Sequence, residues 1–337
     1  LLLSIILWAG LSYYVIYIYL VYSIYKPKDM SLIYIITMTD PFTIETIRKG
    51  LDTIPYDDFT FEGMIDAKQL TDEKINKEFI KLVKMSTDKL KRTFCCNKIL
   101  YHYQFRELLS TRRDVKNYKT LKEIFDDPAQ KKYWIDMTFK INRRYTLGHI
   151  SIIDVFEGYR RCKGSINFFK AFTTKYLMDK YNGTHLLDPT AGWGGRLLGA
   201  RSLNAEYTGI DTNINLKPGY DKMIEKFGGN MIWGSCLDVD FSTIDYDIVI
   251  TSPPYINLEK YSHMPLFGSK ENYYKEFLIP LINKSKQHIK RNGKVIINIS
   301  DYMYDDYLIY GGIPCLERFD MLQQMGGKKN KEVIYVF

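Results

Sequence analysis

Residues 151–337 are predicted to form an α/β domain on a doubly wound, Rossmann-like sheet, preceded by a mainly helical region. Three observations carry this. Short apolar runs alternate with helix-patterned stretches, the rhythm of repeated strand–helix units. The first run, His185-Leu186-Leu187, passes through Asp188 into a glycine-rich turn and then a helix. The fourth, at 246–251, is cut off by Ser252-Pro253-Pro254-Tyr255, where two prolines end any ladder.

Taken in order, residues 1–25 carry no charged side chain. As a helix they would span ~37 Å, enough to cross a bilayer. Two readings of segment 1–29 stay open: a membrane anchor, with Lys26 and Lys28 favouring a cytoplasmic C-terminal side, or a translation artefact upstream of Met30 or Met38. A signal peptide fits less well, for want of a basic start and a small-residue cleavage site. The remainder suits a cytoplasmic protein.

Residues 38–150 read as helical and polar. A helix is expected over 66–85 with Leu70, Ile75, Phe79, Ile80 and Val83 as its apolar face, and further helices over 94–109 and 117–125, with a break at Asp127-Pro128. In the second half, strands are placed at 185–189, 207–211, 230–234, 246–251, 293–299 and 333–337. Helices fall near 167–181, 195–204, 217–228, 270–290 and 315–325. Cys315 then reads as an ordinary helix residue.

Chemistry concentrates at three strand ends. After the first strand, glycines in Asp188-Pro189-Thr190-Ala191-Gly192-Trp193-Gly194-Gly195 let a ligand approach the backbone, and the helix that follows adds donors. At the end of the second strand, Asp211 is placed to accept hydrogen bonds from ribose hydroxyls, a spacing that suits NAD and S-adenosylmethionine alike. The dinucleotide pattern of three spaced glycines is absent. After the fourth strand, the prolines leave the Ser252 and Pro253 carbonyls without local N–H partners, next to the ring of Tyr255. Rigid acceptors beside a stacking face suit a planar group with an exocyclic NH2.

On these residues, the segment from about 160 to 300 resembles the S-adenosylmethionine-dependent amino-methyltransferases of DNA. The Asp188–Gly195 stretch is similar to their first motif, aspartate-proline-phenylalanine-x-glycine-x-glycine, with Thr190 in place of phenylalanine. Ser252-Pro253-Pro254-Tyr255 matches their (Asp/Asn/Ser)-Pro-Pro-(Tyr/Phe) motif, in which serine first is commoner among cytosine-N4 than adenine-N6 enzymes. The resemblance implies a methyltransferase sheet ending in a reversed hairpin, whose penultimate strand would lie hidden near 302–310 unless the C-terminus is clipped. It implies S-adenosylmethionine as cofactor, held by Asp188, Pro189, Thr190, Gly192, Gly194 and Asp211. Asp238 would face the adenine edge, and Asn167 and Phe168 in Lys163-Gly164-Ser165-Ile166-Asn167-Phe168-Phe169-Lys170 would contact the methionine end. A core helix start is the alternative for that last segment, and a simple cap for Asp238. Ser252, Pro253, Pro254 and Tyr255 would be catalytic, acting on a base flipped from double-stranded DNA, with no metal.

Charge agrees with a nucleic-acid partner. The chain carries net +8, and residues 89–145 alone hold 15 Lys/Arg against 6 Asp/Glu. That clustering is the footprint of a phosphate backbone, so the helical region 38–150 that contains it is the candidate for target recognition, with the loop 256–270 flanking the base pocket. A solvated helical surface is the alternative. Tyr101, Tyr103, Phe105, Tyr118, Tyr133 and Trp134 lie interleaved in it, as stacking rings or as core. Five cysteines without metal spacing suit a reducing compartment and make structural zinc unlikely chemistry. Rival readings are methylation of RNA or of a protein glutamine amide, a catalytically silent methyltransferase fold that only binds nucleic acid, and a membrane-anchored protein if residues 1–25 are genuine. A restriction partner and the oligomeric state are not legible.

Overall fold

The computed structural model describes residues 56–111, 119–141, 150–163, 166–255, 267–321 and 332–337. The expectations for segment 1–29, and those for Tyr118, Gly164, Ser165 and most of the loop at 256–270, lie outside these residues.

The helical region comprises α1 (Phe61–Asp66), α2 (Asp72–Lys84), α3 (Asn97–Ser110), α4 (Leu121–Phe125), α5 (Pro128–Ile141) and α6 (Ile152–Lys163). Local chemistry sets the starts. Thr71 accepts from the Lys74 amide to begin α2, whose first turn holds Asp72 and Glu73 and whose last turn holds Lys81 and Lys84, matching the helix dipole. Thr120 and Glu123 make a reciprocal capping box at α4. Asp127 accepts from the Ala129 and Gln130 amides, so the Asp-Pro break is the cap of α5. The apolar face of α2 differs from expectation: Ile75 and Leu82 are buried and Phe79 packs on the core, while Ile80 and Val83 point to solvent. Ile80 lies five residues past Ile75, off its stripe.

From α7 (Ala171–Lys180) onward the chain alternates: β1 (His185–Asp188), α8 (Gly195–Arg201), β2 (Glu206–Asp211), α9 (Lys217–Phe227), β3 (Asn230–Trp233), β4 (Ile248–Thr251), α10 (Ile279–His288), β5 (Lys294–Ser300), α11 (Asp301–Ile309), β6 (Glu317–Asp320) and β7 (Glu332–Val336). The sheet order is β3-β2-β1-β4-β5-β7-β6. The first five strands pair in parallel, and β7 runs antiparallel between β5 and β6. This is the doubly wound α/β sheet with the reversed final hairpin.

Two expectations near the C-terminus are corrected. Residues 301–309 form a helix rather than the hidden strand, with Met303, Tyr304 and Tyr307 buried at helical spacing. The missing strand is β6, within the stretch expected to be helical. As an edge strand it needs only ladder bonds to β7, and three of its four side chains are exposed, so it carries no apolar alternation. Cys315 accordingly lies in the turn before β6, its amide donating to the Tyr304 hydroxyl at 2.8 Å.

Alternate strand residues feed two cores, as the two-residue strand period requires. Leu186, Ile248, Ile250, Ile296 and Ile334 join a cluster with α7, α8, α9 and the helical region, to which Met64, Leu82, Ile99, Leu100 and Phe105 belong. Leu187, Val249, Val295, Ile297 and Tyr335 face the opposite layer, built from Tyr273, Leu281, Ile282, Met303 and Tyr307. One ionic clamp ties the layers on the first face. Lys175 on α7 is buried, and its ammonium donates to the Leu82, Val83 and Met85 carbonyls at 2.9, 2.7 and 2.7 Å. It adds a charged donor at the end of α2, where the Leu82 carbonyl also accepts from the Met85 amide. Lys175→Met is expected to lower unfolding free energy by ~2 kcal/mol, read as a lower urea midpoint with unchanged slope.

Candidate functional site

The carboxyl ends of β1, β2, β4 and β5 meet where the strand order reverses between β1 and β4. Open α/β sheets bind ligands in the crevice at such a switch point. The structure brings Asp188, Thr190, Gly192, Asp211 and Ser252 to this edge.

Asp188 is fully buried. Its Oδ2 accepts from Arg196 Nε at 2.7 Å and from the Tyr207 hydroxyl at 3.1 Å. Burial pushes this carboxyl up, and the guanidinium and the Tyr207 hydroxyl oppose that push. Arg196 also donates to the Thr190 carbonyl and lies over the Phe169 ring. Asp188 is thus bonded to Arg196 and Tyr207 and, through Arg196, holds the loop. Pro189 is buried beside it. Gly192 adopts φ +57°, a left-handed conformation that glycine reaches without strain, and an added Cβ would meet nothing closer than 3.8 Å. Gly194, by contrast, is packed beneath Met223, and a side chain at Gly195 would collide with the Phe169 carbonyl. The glycine run thus divides into one open position and two that serve packing.

Asp211 sits at the end of β2. Its Oδ2 accepts from the Gly192 amide at 2.7 Å and its Oδ1 from the Asn213 amide at 2.8 Å. Burial raises its pKa, and these two amides oppose the rise. Asp238 lies exposed in the turn after β3. Asn167 is exposed, whereas Phe168 is buried between the rings of Tyr101 and Trp193, in the core role.

At β4, the Ser252 carbonyl is not left without a partner: it accepts from the Thr190 hydroxyl at 3.1 Å. The Thr190 and Thr251 hydroxyls lie 2.6 Å apart, and the Thr251 hydroxyl also reaches Asp188 Oδ1 at 3.4 Å. Threonine at 190 thus links the glycine loop to the proline motif. The Ser252 hydroxyl donates to Asn298 Oδ1 at 3.3 Å, and Asn298 Nδ2 is anchored on the Val333 carbonyl. Its single proton spent on Asn298, the hydroxyl keeps its lone pairs for another donor. The Pro254 carbonyl accepts from the buried Tyr273 hydroxyl at 2.8 Å, reached from a π-helical run at Tyr273–Leu278 that leads into α10. Tyr255 donates to Glu332 Oε2 at 2.7 Å, and burial, then Glu332, holds its phenol well above 10 and protonated.

Arg196, Tyr273, Asn298 and Glu332 were missed by sequence reading. Only Arg196, within the glycine motif, stood near a signal; the others are distant in sequence from the groups they hold. Among the candidate stacking rings that are described, Phe105 and Trp134 are buried, Tyr101 and Tyr103 pack against the core, and Tyr133 is exposed. Arg106, Lys119, Lys122 and Lys132 of the basic segment form surface ion pairs with Glu62, Asp127, Asp126 and Asp136. Among the described residues, no helix is long and apolar enough to cross a membrane.

No protein-family model matches the chain, and no curated protein matches it. Solved structures that it is similar to include TehB from Haemophilus influenzae (13% identity, 53% of this chain and 65% of that one, TM-score 0.35). TrmN from Thermus thermophilus shows 12% identity over 49% of this chain and 48% of that one, TM-score 0.38. The Pyrococcus abyssi tRNA (uracil-54, C5)-methyltransferase, solved with S-adenosyl-L-homocysteine, shows 14% identity over 50% and 40%, TM-score 0.35. The chain spans less than two-thirds of each of these three proteins.

Removing the Asp188 carboxylate strands a buried guanidinium. Asp188→Ala is expected to cost about 3–5 kcal/mol, and the double variant with Arg196→Met to recover part of that loss, in chemical unfolding of the two proteins side by side.

Proposed function

We propose that the protein transfers a methyl group from S-adenosylmethionine to an exocyclic amino nitrogen of a base in DNA, cytosine N4 in preference to adenine N6. The observation that carries this is the position of Ser252-Pro253-Pro254-Tyr255 just past the end of β4, across the switch point from the loop after β1 and hydrogen-bonded to it through Thr190.

The residues present fit the cofactor. Each Asp211 oxygen takes one backbone amide, and a carboxylate oxygen has room for a second donor, so two ribose hydroxyls can be accepted without displacing either amide. Gly192 exposes its backbone beside that carboxylate, where the cofactor's methionine end would lie. S-adenosylmethionine supplies an electrophilic methyl, whose bond to sulfur breaks with the electron pair left on sulfur.

The protein's work is then positioning and electrostatics. An exocyclic base amine is a weak nucleophile because its lone pair is conjugated with the ring. The Ser252 hydroxyl, committed to Asn298 as a donor, is an acceptor toward the amine. With the proline-motif backbone it would draw the N–H groups out of the ring plane and aim the lone pair at the methyl. The amine's surplus proton leaves to water after the N–C bond forms. Tyr255, held at its hydroxyl by Glu332, offers a ring of fixed position on which a flipped base would stack. Net positive charge over 89–145 supports a nucleic-acid substrate.

Labelled methyl transfer by the full chain to unmethylated DNA, RNA and protein, followed by mass analysis of nucleosides and amino acids, tests this. N4-methylcytosine or N6-methyladenine in DNA is expected, falling about 100-fold or more in Tyr255→Ala; label only in RNA or in glutamine moves the reading to those substrates. The Asp211 carboxylate, not the acid, accepts from ribose. Its raised pKa therefore predicts that affinity for S-adenosylhomocysteine is full at higher pH and is lost as pH falls, beginning above the ordinary 3.8. In Asp211→Asn that pH dependence should vanish and binding should be weak throughout.

A further inference from the structure

One face of α3 makes three contacts that converge on the segments following β1 and β2. On α3, Leu100 packs against the Gly194–Gly195 turn. One turn on, Gln104 donates from Nε2 to the Leu216 carbonyl at 3.3 Å, and its side chain lies against Gly219 at the start of α9. Glu107 then accepts from Asn213 Nδ2 at 3.0 Å. Spacings of four and three residues put the three side chains on one stripe of the helix. Asn213 is itself almost fully buried and spent on both sides: its amide donates to Asp211, its Oδ1 accepts from the Asn215 amide, and its Nδ2 goes to Glu107.

We propose that Glu107 is a positioning residue for the ribose-binding carboxylate, holding Asn213 so that its amide stays on Asp211, and that the region preceding the sheet is thereby a structural wall of the cofactor site. The inference rests on the cofactor reading above. It adds a role to residues 97–110, which sequence reading assigned to target recognition or to a solvated helical surface. Because α3 lies within the basic segment 89–145, a polyanion that shifts α3 would change cofactor affinity, and by reciprocity the cofactor would change affinity for the polyanion.

The groups facing Asp211 are Asp188, Arg196, Tyr220 and Cys236, with Glu107 behind Asn213. Two effects of removing Glu107 oppose each other at Asp211. Loss of its negative charge lowers the Asp211 pKa, whereas loosening of the Asn213 amide raises it. Calorimetric titration of S-adenosylhomocysteine into the full-length protein and its Glu107→Ala and Glu107→Gln variants, over a range of pH, separates them. Glutamine keeps the acceptor for Asn213 and drops the charge. The expectation is about tenfold weaker binding in Glu107→Ala, with the pH at which affinity falls moved upward, and near-native affinity in Glu107→Gln. Asn213→Ala should match Glu107→Ala, and combining the two should weaken binding no further, which keeps the inference testable if one variant folds poorly. Unchanged affinity in Glu107→Ala, equal loss in Glu107→Gln, or a downward pH shift overturns the inference while the cofactor reading stands. Failure of the wild-type protein to bind S-adenosylhomocysteine overturns both.

Discussion

The contact between Asp188 and Arg196 stands at the centre of the site's architecture. Two opposite charges sit at the end of a sheet strand with almost no solvent around them. Taking them out of water is costly, and only tight geometry with further hydrogen bonds offsets that cost. Tyr207 on the neighbouring strand and the Thr190 carbonyl supply those bonds. The pair consequently dictates the shape of the turn that follows. Thr190 is placed to reach Ser252, and Gly192 is placed to reach Asp211. The glycine loop and the end of β4 are thus both tied to one buried ion pair.

Much of this was legible in the residues. The first five strands lie where the sequence runs put them; β1, β4 and β5 are buried almost throughout, and strands buried on both faces must be apolar. The strand-end positions of Asp188, Asp211 and Ser252 followed from the same pattern. Illegible parts share a cause. β6 is stabilised by ladder bonds to β7 on one edge and leaves its side chains in water, so nothing in Glu317-Arg318-Phe319-Asp320 advertises a strand. Asn298, Tyr273 and Glu332 reach their partners only through the fold. A polar residue inside the run Val295-Ile296-Ile297-Asn298-Ile299 was the one visible hint, since a buried amide there needs bonding partners.

The helical region and the sheet share a single apolar cluster on one face, clamped by Lys175. Of the basic residues in 89–145, Arg106, Lys119, Lys122 and Lys132 are held in surface ion pairs. Such pairs contribute little stability and are screened by salt, so a polyanion can compete for those cations at small energetic cost.

β7 has a consequence for the order in which the protein becomes competent. It is the final strand of the described sheet in sequence, yet it lies between β5 and β6. It also carries Glu332, which holds Tyr255, and the Val333 carbonyl, which anchors Asn298. Strands β1 to β3 and their loops precede it by about a hundred residues or more, and chains fold from the N-terminus as they are made. On the ribosome Asp211 can therefore meet the Gly192 and Asn213 amides early, while the Tyr255 hydroxyl and the Asn298 amide gain their partners only once β7 pairs with β5.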